Sequence, residues 1–209
     1  MNNDKIISAA LRTIELETNA VNGLKEFIDA DFVKAVLAIV ESKGRLIVSG
    51  IGKSAIIAQK IVATLNSTGT PAVFMHAADA IHGDLGMIQP TDIVMVISKS
   101  GNSPEIKVLA PLVKSFGNTL VSMVGNTDSF LALNSDIVLN TTVDQEACPI
   151  NLAPTSSTTA QMVMGDALAV SLMELKGFGS SDFAKYHPGG TLGKKLYLRV
   201  EELDRKSVV

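Results

Sequence analysis

The chain has 209 residues, 46% of them apolar, and a formal net charge of −3. That length fits one domain able to bury about 70% of its unfolded surface, and the mild charge, with no Lys/Arg-rich block, argues against nucleic acid or an anionic membrane as the main partner. A single cysteine, Cys148, excludes an internal disulfide, the N-terminus MNNDKIISAAL lacks the basic-then-apolar order of a secretion signal, and no run of about 18 apolar residues occurs. The chain therefore reads as a soluble cytoplasmic protein.

Residues 3–22 carry Ile6, Ile7, Ala10, Leu11, Ile14 and Val21 at helical spacing, and 31–42 form a second predicted helix stopped by Gly44. Five short apolar runs follow, at 45–49, 71–75, 92–98, 119–124 and 136–140, separated by predicted helices at 54–66, 77–82, 104–116 and 127–133. A long helix over 156–176 closes the series, and the tail 178–209 carries the loop HPGG and a basic stretch but no clear strand. Strands that alternate with helices and are apolar throughout predict a parallel sheet covered on both faces. The expected fold is α/β, a three-layer, doubly wound, five-stranded parallel sheet of flavodoxin-like order 2-1-3-4-5. Residues 1–44 are expected to pack on this domain or at a dimer interface, 45–177 to form the domain itself, and 178–209 to be a C-terminal segment.

In that topology ligands bind beyond the carboxyl ends of the strands, where the order switches between strands 1 and 3. Strand 1 runs into SGIGKS (49–54) and strand 3 into SKSGNSPE (98–105), so the two polar, glycine-bearing loops converge. An ATP loop, G-x-x-x-x-G-K-[ST], would need glycine at position 47, which is Ile47. Gly50, Gly52 and Ala55 do match the spacing of a dinucleotide loop, but strand 2 ends at Met75-His76 without the acid that would hold a ribose. Taken alone, a plain strand-to-helix turn with a solvated Lys53 competes with both. In the second loop Ser98, Ser100 and Ser103 surround Gly101, and Pro104 suits the first turn of a helix, so hydroxyls and N–H groups there can cradle an anion. An ordinary capped helix start explains that loop equally well by itself; two such loops at one crevice favour phosphate. A third loop, 146–161, brings Thr155, Ser156, Ser157, Thr158 and Thr159 before the long helix, more hydroxyls than one cap requires. The three histidines, His76, His82 and His187, all fall in loops or at a strand end, and Glu105 lies in the first turn after the serine loop.

The segments GIGKSAIIAQKIVATLNSTGTP, HGDLGM, SKSGNSPEI, EACPINLAPTSSTTAQ and HPGGTLGKKL together resemble the sugar isomerase (SIS) domain of the D-arabinose 5-phosphate isomerases, over about residues 3–205. The resemblance implies interconversion of D-arabinose 5-phosphate and D-ribulose 5-phosphate, feeding the acidic lipopolysaccharide sugar KDO. It implies catalytic roles for Lys53, Glu105, Glu146, His187 and His82. It implies substrate contacts at Gly69, Thr70 and His76, phosphate-holding hydroxyls at Ser54, Ser98, Ser100 and Ser103 with Thr155 and Ser156 nearby, and an inhibitory zinc position at His76. No cofactor is implied. The partners implied are a sugar phosphate and further copies of the chain, a tetramer with sites shared between subunits.

Two departures stand out. Many relatives carry paired CBS modules after this domain, for which a chain ending at Val209 leaves no room, so regulation through them is not expected. Relatives often have asparagine and glutamate where this chain has Lys99 and Asn102. Aldose–ketose exchange through an enediol needs a base, expected at Glu105, a stabiliser of oxygen charge, expected at Lys53, and a proton shuttle, expected at His82 or His187. A non-catalytic phosphosugar sensor and an SIS lyase or isomerase acting on another sugar phosphate are the competing readings. For a DNA-binding sensor, the 44 residues before strand 1 are too few to add a helix-turn-helix domain.

Overall fold

The computed structural model describes residues 3–189 together with Lys194. Five strands, β1 (Leu46–Gly50), β2 (Ala72–His76), β3 (Ile93–Ser98), β4 (Thr119–Val124) and β5 (Ile137–Asn140), make one parallel sheet of order β2-β1-β3-β4-β5. The helices are α1 (Asn3–Gly23), α2 (Ala30–Glu41), α3 (Lys53–Ser67), α4 (Ala77–Ala80), α5 (Pro104–Ser115), α6 (Phe130–Leu133), α7 (Ser156–Leu175) and α8 (Ser180–Tyr186). The predicted doubly wound topology is thus the observed one, with strand boundaries within about a residue of those read from the apolar runs. The seven-residue α8 is an addition: its Gly179-led start and short length gave no periodic signal in the tail. Of the HPGG loop, Gly190 lies outside the described residues, as does most of the chain beyond it.

The strands are buried on both faces because their side chains alternate between two cores. Leu46, Val48, Met95 and Ile97 face α2, α3 and α7, meeting Val36, Ile61 and Leu168. Ile47, Val94 and Val96 face α5 and α6, meeting Ile106, Leu109 and Leu131. The first layer is tight: a Cβ at Gly165 of α7 would lie 2.3 Å from Ile61 Cδ1 of α3, so glycine is what lets the two helices approach. Asp29 caps α2 by accepting hydrogen bonds from the N–H groups of Asp31 and Phe32, and α2 then joins the core through Phe32, Ala35, Val36 and Ile39. The longer α1 differs, with no buried residue; it lies on α7, where Thr159 donates to Glu17 at 2.9 Å. No described helix is long and apolar enough to cross a membrane.

Candidate active site

Register fixes where the polar loops meet. Gly50 pairs with His76 on one side and with Ile97 on the other, and Ser98 pairs with Val124. The ends of β2, β1 and β3 therefore form one row, from which His76, SGIGKS and SKSGNSPE emerge side by side. At the end of β1, Gly52 turns the chain with φ 60° and ψ −128°, a conformation that favours glycine, and no side chain caps the α3 that follows. At the end of β3, Gly101 has φ 63°, and a Cβ there would lie 2.1 Å from Ser129 Oγ. Pro104 opens α5, again without a side-chain cap. Two uncapped helix N-termini thus point their free N–H groups and positive dipole ends into the gap between adjacent strands, an arrangement suited to an anion.

The serine loop adds hydroxyl donors. Ser98 Oγ accepts from Gly101 N at 3.1 Å and Ser100 Oγ accepts from Asn102 N at 3.3 Å, so each keeps its O–H to donate outward. Ser103 Oγ is buried with no hydrogen-bond partner among the described residues; Ser156 Oγ and His76 Nδ1 are in the same condition. Buried polar atoms are normally paired, so three orphans among the residues of one crevice mark a place built for a polar ligand. Ser54 is more engaged than its position in the motif suggests: its hydroxyl donates to Gln161 Oε1 at 3.2 Å, and Gln161 is itself buried. Gln161 and Ser129 were not singled out from the sequence, because each acts through a contact distant in the chain; Ser157 was named only as one of a run of five hydroxyls, with nothing to mark it as a partner of Glu146.

The reactive groups are placed unequally. Lys53 is exposed at the first turn of α3, and half-buried Glu105 sits in the first turn of α5; neither has a hydrogen bond or ion pair among the described residues. His82 is exposed in the loop after α4. Glu146 is the opposite case, with its side chain fully buried. Its Oε1 accepts from Lys99 Nζ at 2.6 Å and from Ser157 Oγ at 2.5 Å. Its Oε2 accepts from Thr155 N at 2.8 Å, Thr155 Oγ1 at 3.2 Å and Ser157 N at 3.1 Å. Burial pushes this carboxyl up, but the Lys99 ammonium, the Ser157 hydroxyl and the two N–H groups outweigh it and hold it at about 2. Glu146 is thus the carboxylate that caps α7, with lone pairs committed on both oxygens. The hydroxyl run divides accordingly: Thr155 and Ser157 serve Glu146, and Ser156 is left unpaired.

Three residues singled out by resemblance are not brought to this crevice within one chain. Gly69 and Thr70 lie after α3, at the amino end of β2; Gly69 backs onto Phe178, and buried Thr70 accepts from Lys176 Nζ at 2.9 Å. His187 follows α8, whose Tyr186 stacks at 5.9 Å on the same Phe178 that backs Gly69; the His187 ring is stacked on Phe183 at 3.8 Å with its Nδ1 2.8 Å from Phe183 O. For zinc, His76 has Asp79 at 3.7 Å, and among the described residues no group of three or more His, Cys, Asp and Glu side chains could hold a metal ion. The described residues therefore do not by themselves assemble a zinc site at His76.

Comparison with known proteins is consistent with this geometry. The SIS domain family model matches residues 38–171. The chain is 53% identical over 197 residues to the arabinose 5-phosphate isomerase KdsD of Pseudomonas aeruginosa, covering 94% of this chain and 60% of that protein. It is 49% identical over 203 residues to KdsD of Francisella tularensis, covering 96% and 62%. The chain thus spans about three fifths of the length of these relatives. Among solved structures, an Escherichia coli protein in complex with arabinose 5-phosphate superposes with a TM-score of 0.83 at 40% identity, covering 90% of this chain and all of that one. A single parallel sheet of order β2-β1-β3-β4-β5, a serine loop at its switch point and these matches place the chain in the SIS domain family.

Proposed function

We propose that this chain is the catalytic domain of an aldose–ketose isomerase that interconverts D-arabinose 5-phosphate and D-ribulose 5-phosphate, the activity in its relatives' names. The observation that carries the reading is the phosphate-sized set of donors at the strand switch point: the O–H groups of Ser98, Ser100 and Ser103 beside two uncapped helix starts. Binding the phosphate there fixes the reacting carbons and turns proton transfer into an intramolecular problem.

Glu105, unpaired and one residue into α5, takes the C2 proton of the open-chain aldose. The electrons move toward O1, which gains a proton, giving an enediol. O2 then loses its proton and C1 receives one, leaving the ketose, so no redox partner is consumed. Lys53, also unpaired, stabilises negative charge on the enediol oxygens. His82 moves the proton between O1 and O2. Glu146 stays ionised and structural in this scheme, because a carboxylate held at about 2 is a weak base.

The remaining residues enter from a second copy of the chain. Gly69, Thr70 and His187 sit at the other end of the sheet, so contact with substrate requires that end of one subunit to approach the crevice of another. The apolar side chains Ile6, Ile7, Leu11 and Ile14 of α1 are exposed, and α2 and α7 flank an open apolar groove lined by Val33, Leu37 and Leu175; both are surfaces a homo-oligomer would cover. The test is direct. Incubation with D-ribulose 5-phosphate in deuterated water should yield an aldopentose phosphate labelled at C2, followed by NMR. Tight binding of the sugar phosphate without label or turnover would instead identify a sensor.

A further inference from the structure

We propose that Lys99 is a positioning residue whose ammonium clasps the serine loop to the segment leading into α7, fixing the two walls of the crevice against each other. Its catalytic consequence rests on the isomerase reading above; the clasp itself rests on geometry.

Glu146 receives five hydrogen bonds, and four come from Thr155 and Ser157 at the start of α7. The fifth, from Lys99, is the one that crosses to another element, 47 residues away in sequence at the end of β3. Lys99 is also the one ionised side chain in contact with Glu146 among the described residues. The pair is lopsided: the Glu146 side chain is 0% exposed and that of Lys99 is 45% exposed, so the lysine covers the carboxylate from the solvent side. Its backbone is anchored, since Gly125 N at the end of β4 donates to Lys99 O at 3.1 Å. A Cβ at Gly125 would lie 3.3 Å from Lys99 Cγ, so the missing side chain leaves the stem its path. The other bond from the start of α7 to the crevice floor is Ser54 to Gln161, which ties α7 to α3. Lys99 therefore provides the tie between α7 and the serine loop.

Remove the ammonium and a fully buried carboxylate keeps neutral donors alone. It must then take a proton or admit water, and either loosens the cap on α7 together with the position of Ser156. The groups that face Glu146 are then Thr155, just before α7, and Ser157 within its first turn; among the described residues Asp144 and Cys148 flank it in sequence without an ion pair to it.

The experiment compares Lys99→Met, Lys99→Arg, Glu146→Gln and the double variant Lys99→Met/Glu146→Gln, by kinetics across pH and by thermal unfolding. Lys99→Met should lower kcat/KM about tenfold or more and move the acid limb of its pH profile upward, while Lys99→Arg should restore kcat/KM to within about twofold. The double variant should be no worse than Glu146→Gln alone, because both break one contact. An unmoved acid limb with full kcat/KM in Lys99→Met overturns the proposal. So do fully additive effects, which would mean that Lys99 grips the phosphate independently of Glu146. Should the unaltered protein not isomerise pentose phosphates, the function reading fails, and the unfolding data judge the clasp: coupled shifts support it and additive shifts overturn it.

Discussion

The two ends of the sheet are built from the same residue types and treat them in opposite ways. At the amino end polar groups are paired. Asp92 accepts from Arg45 N at 2.8 Å, Arg45 Nη2 at 2.7 Å and Gln89 N at 2.9 Å; Asp136 accepts from Leu120 N at 2.8 Å and pairs with Lys114; Asn66 and Ala72 exchange two hydrogen bonds. Asn118 is a partial exception, with Nδ2 donating twice and Oδ1 unpartnered. At the carboxyl end, among the described residues, Ser103, Ser156 and His76 hold buried polar atoms without hydrogen-bond partners (His76 has only Asp79, at 3.7 Å), α3 and α5 begin without side-chain caps, and Lys53 and Glu105 make no hydrogen bond or ion pair. A satisfied end maintains the fold. An unsatisfied end, held in place by that fold, is where a ligand has bonds to make.

The largest effect that separates the two ends is on catalysis. Glu105→Gln should reduce deuterium exchange at C2 by about 10²–10⁴-fold while leaving phosphate binding intact; near-normal exchange would remove Glu105 as the base. Next comes a loss of stability with no catalytic signature. Asp92→Ala should cost about 1–3 kcal/mol in denaturant unfolding, because the partly buried N–H groups of Arg45 and Gln89 lose the buried carboxylate that accepts them; the partly exposed Arg45 side chain limits the cost. Unchanged stability would mean that pairing at the amino end contributes little.

Ser103→Ala inverts that pattern. Removing a hydroxyl that has no protein partner should leave unfolding within about 0.5 kcal/mol, yet lower the affinity for inorganic phosphate by about 1–2 kcal/mol in calorimetry. A destabilised protein with unchanged phosphate affinity would reverse the assignment of ends. The smallest effect is acid sensitivity. Burial pushes Asp92 and Asp136 up, but Arg45 and Lys114, with backbone N–H groups, hold both below the usual carboxylate range, and Glu146 is held at about 2. Each is lower in the folded than in the unfolded chain, so its stabilisation is complete above the ordinary carboxylate range and is lost as pH falls through the folded values. The unfolding midpoint should be level down to about pH 5 and fall below it; a midpoint that rises on acidification would contradict these pairings.

The sheet was legible because each strand is a short, continuous apolar run bounded by helix periodicity, and the strand order then located the crevice before any contact was known. Lys53, Ser98, Ser103 and Glu105 followed, since each sits within a few residues of a strand end. What pattern could not supply was pairing over distance. Lys99 and Glu146 are far apart in sequence, and nothing local shows that one loop's charge neutralises the other's buried acid. The five hydroxyls at the start of α7 looked alike as letters, and three dimensions divide them into two holders of Glu146 (Thr155 and Ser157), one donor to the Thr155 carbonyl (Thr158), one donor to Glu17 of α1 (Thr159) and one serine, Ser156, without a partner among the described residues. Gly69, Thr70 and His187 came from resemblance rather than spacing, and the fold places them at the end away from the serine loop.

The most direct measurement is a crystal structure with arabinose 5-phosphate bound. The phosphate should lie between Ser98–Ser103 and the first turn of α3, with the sugar reaching Lys53 and Glu105. A phosphate seated instead at the amino end, in the cavity of about 220 Å³ lined by Lys43, Arg45, Thr70 and Lys176, would contradict the account.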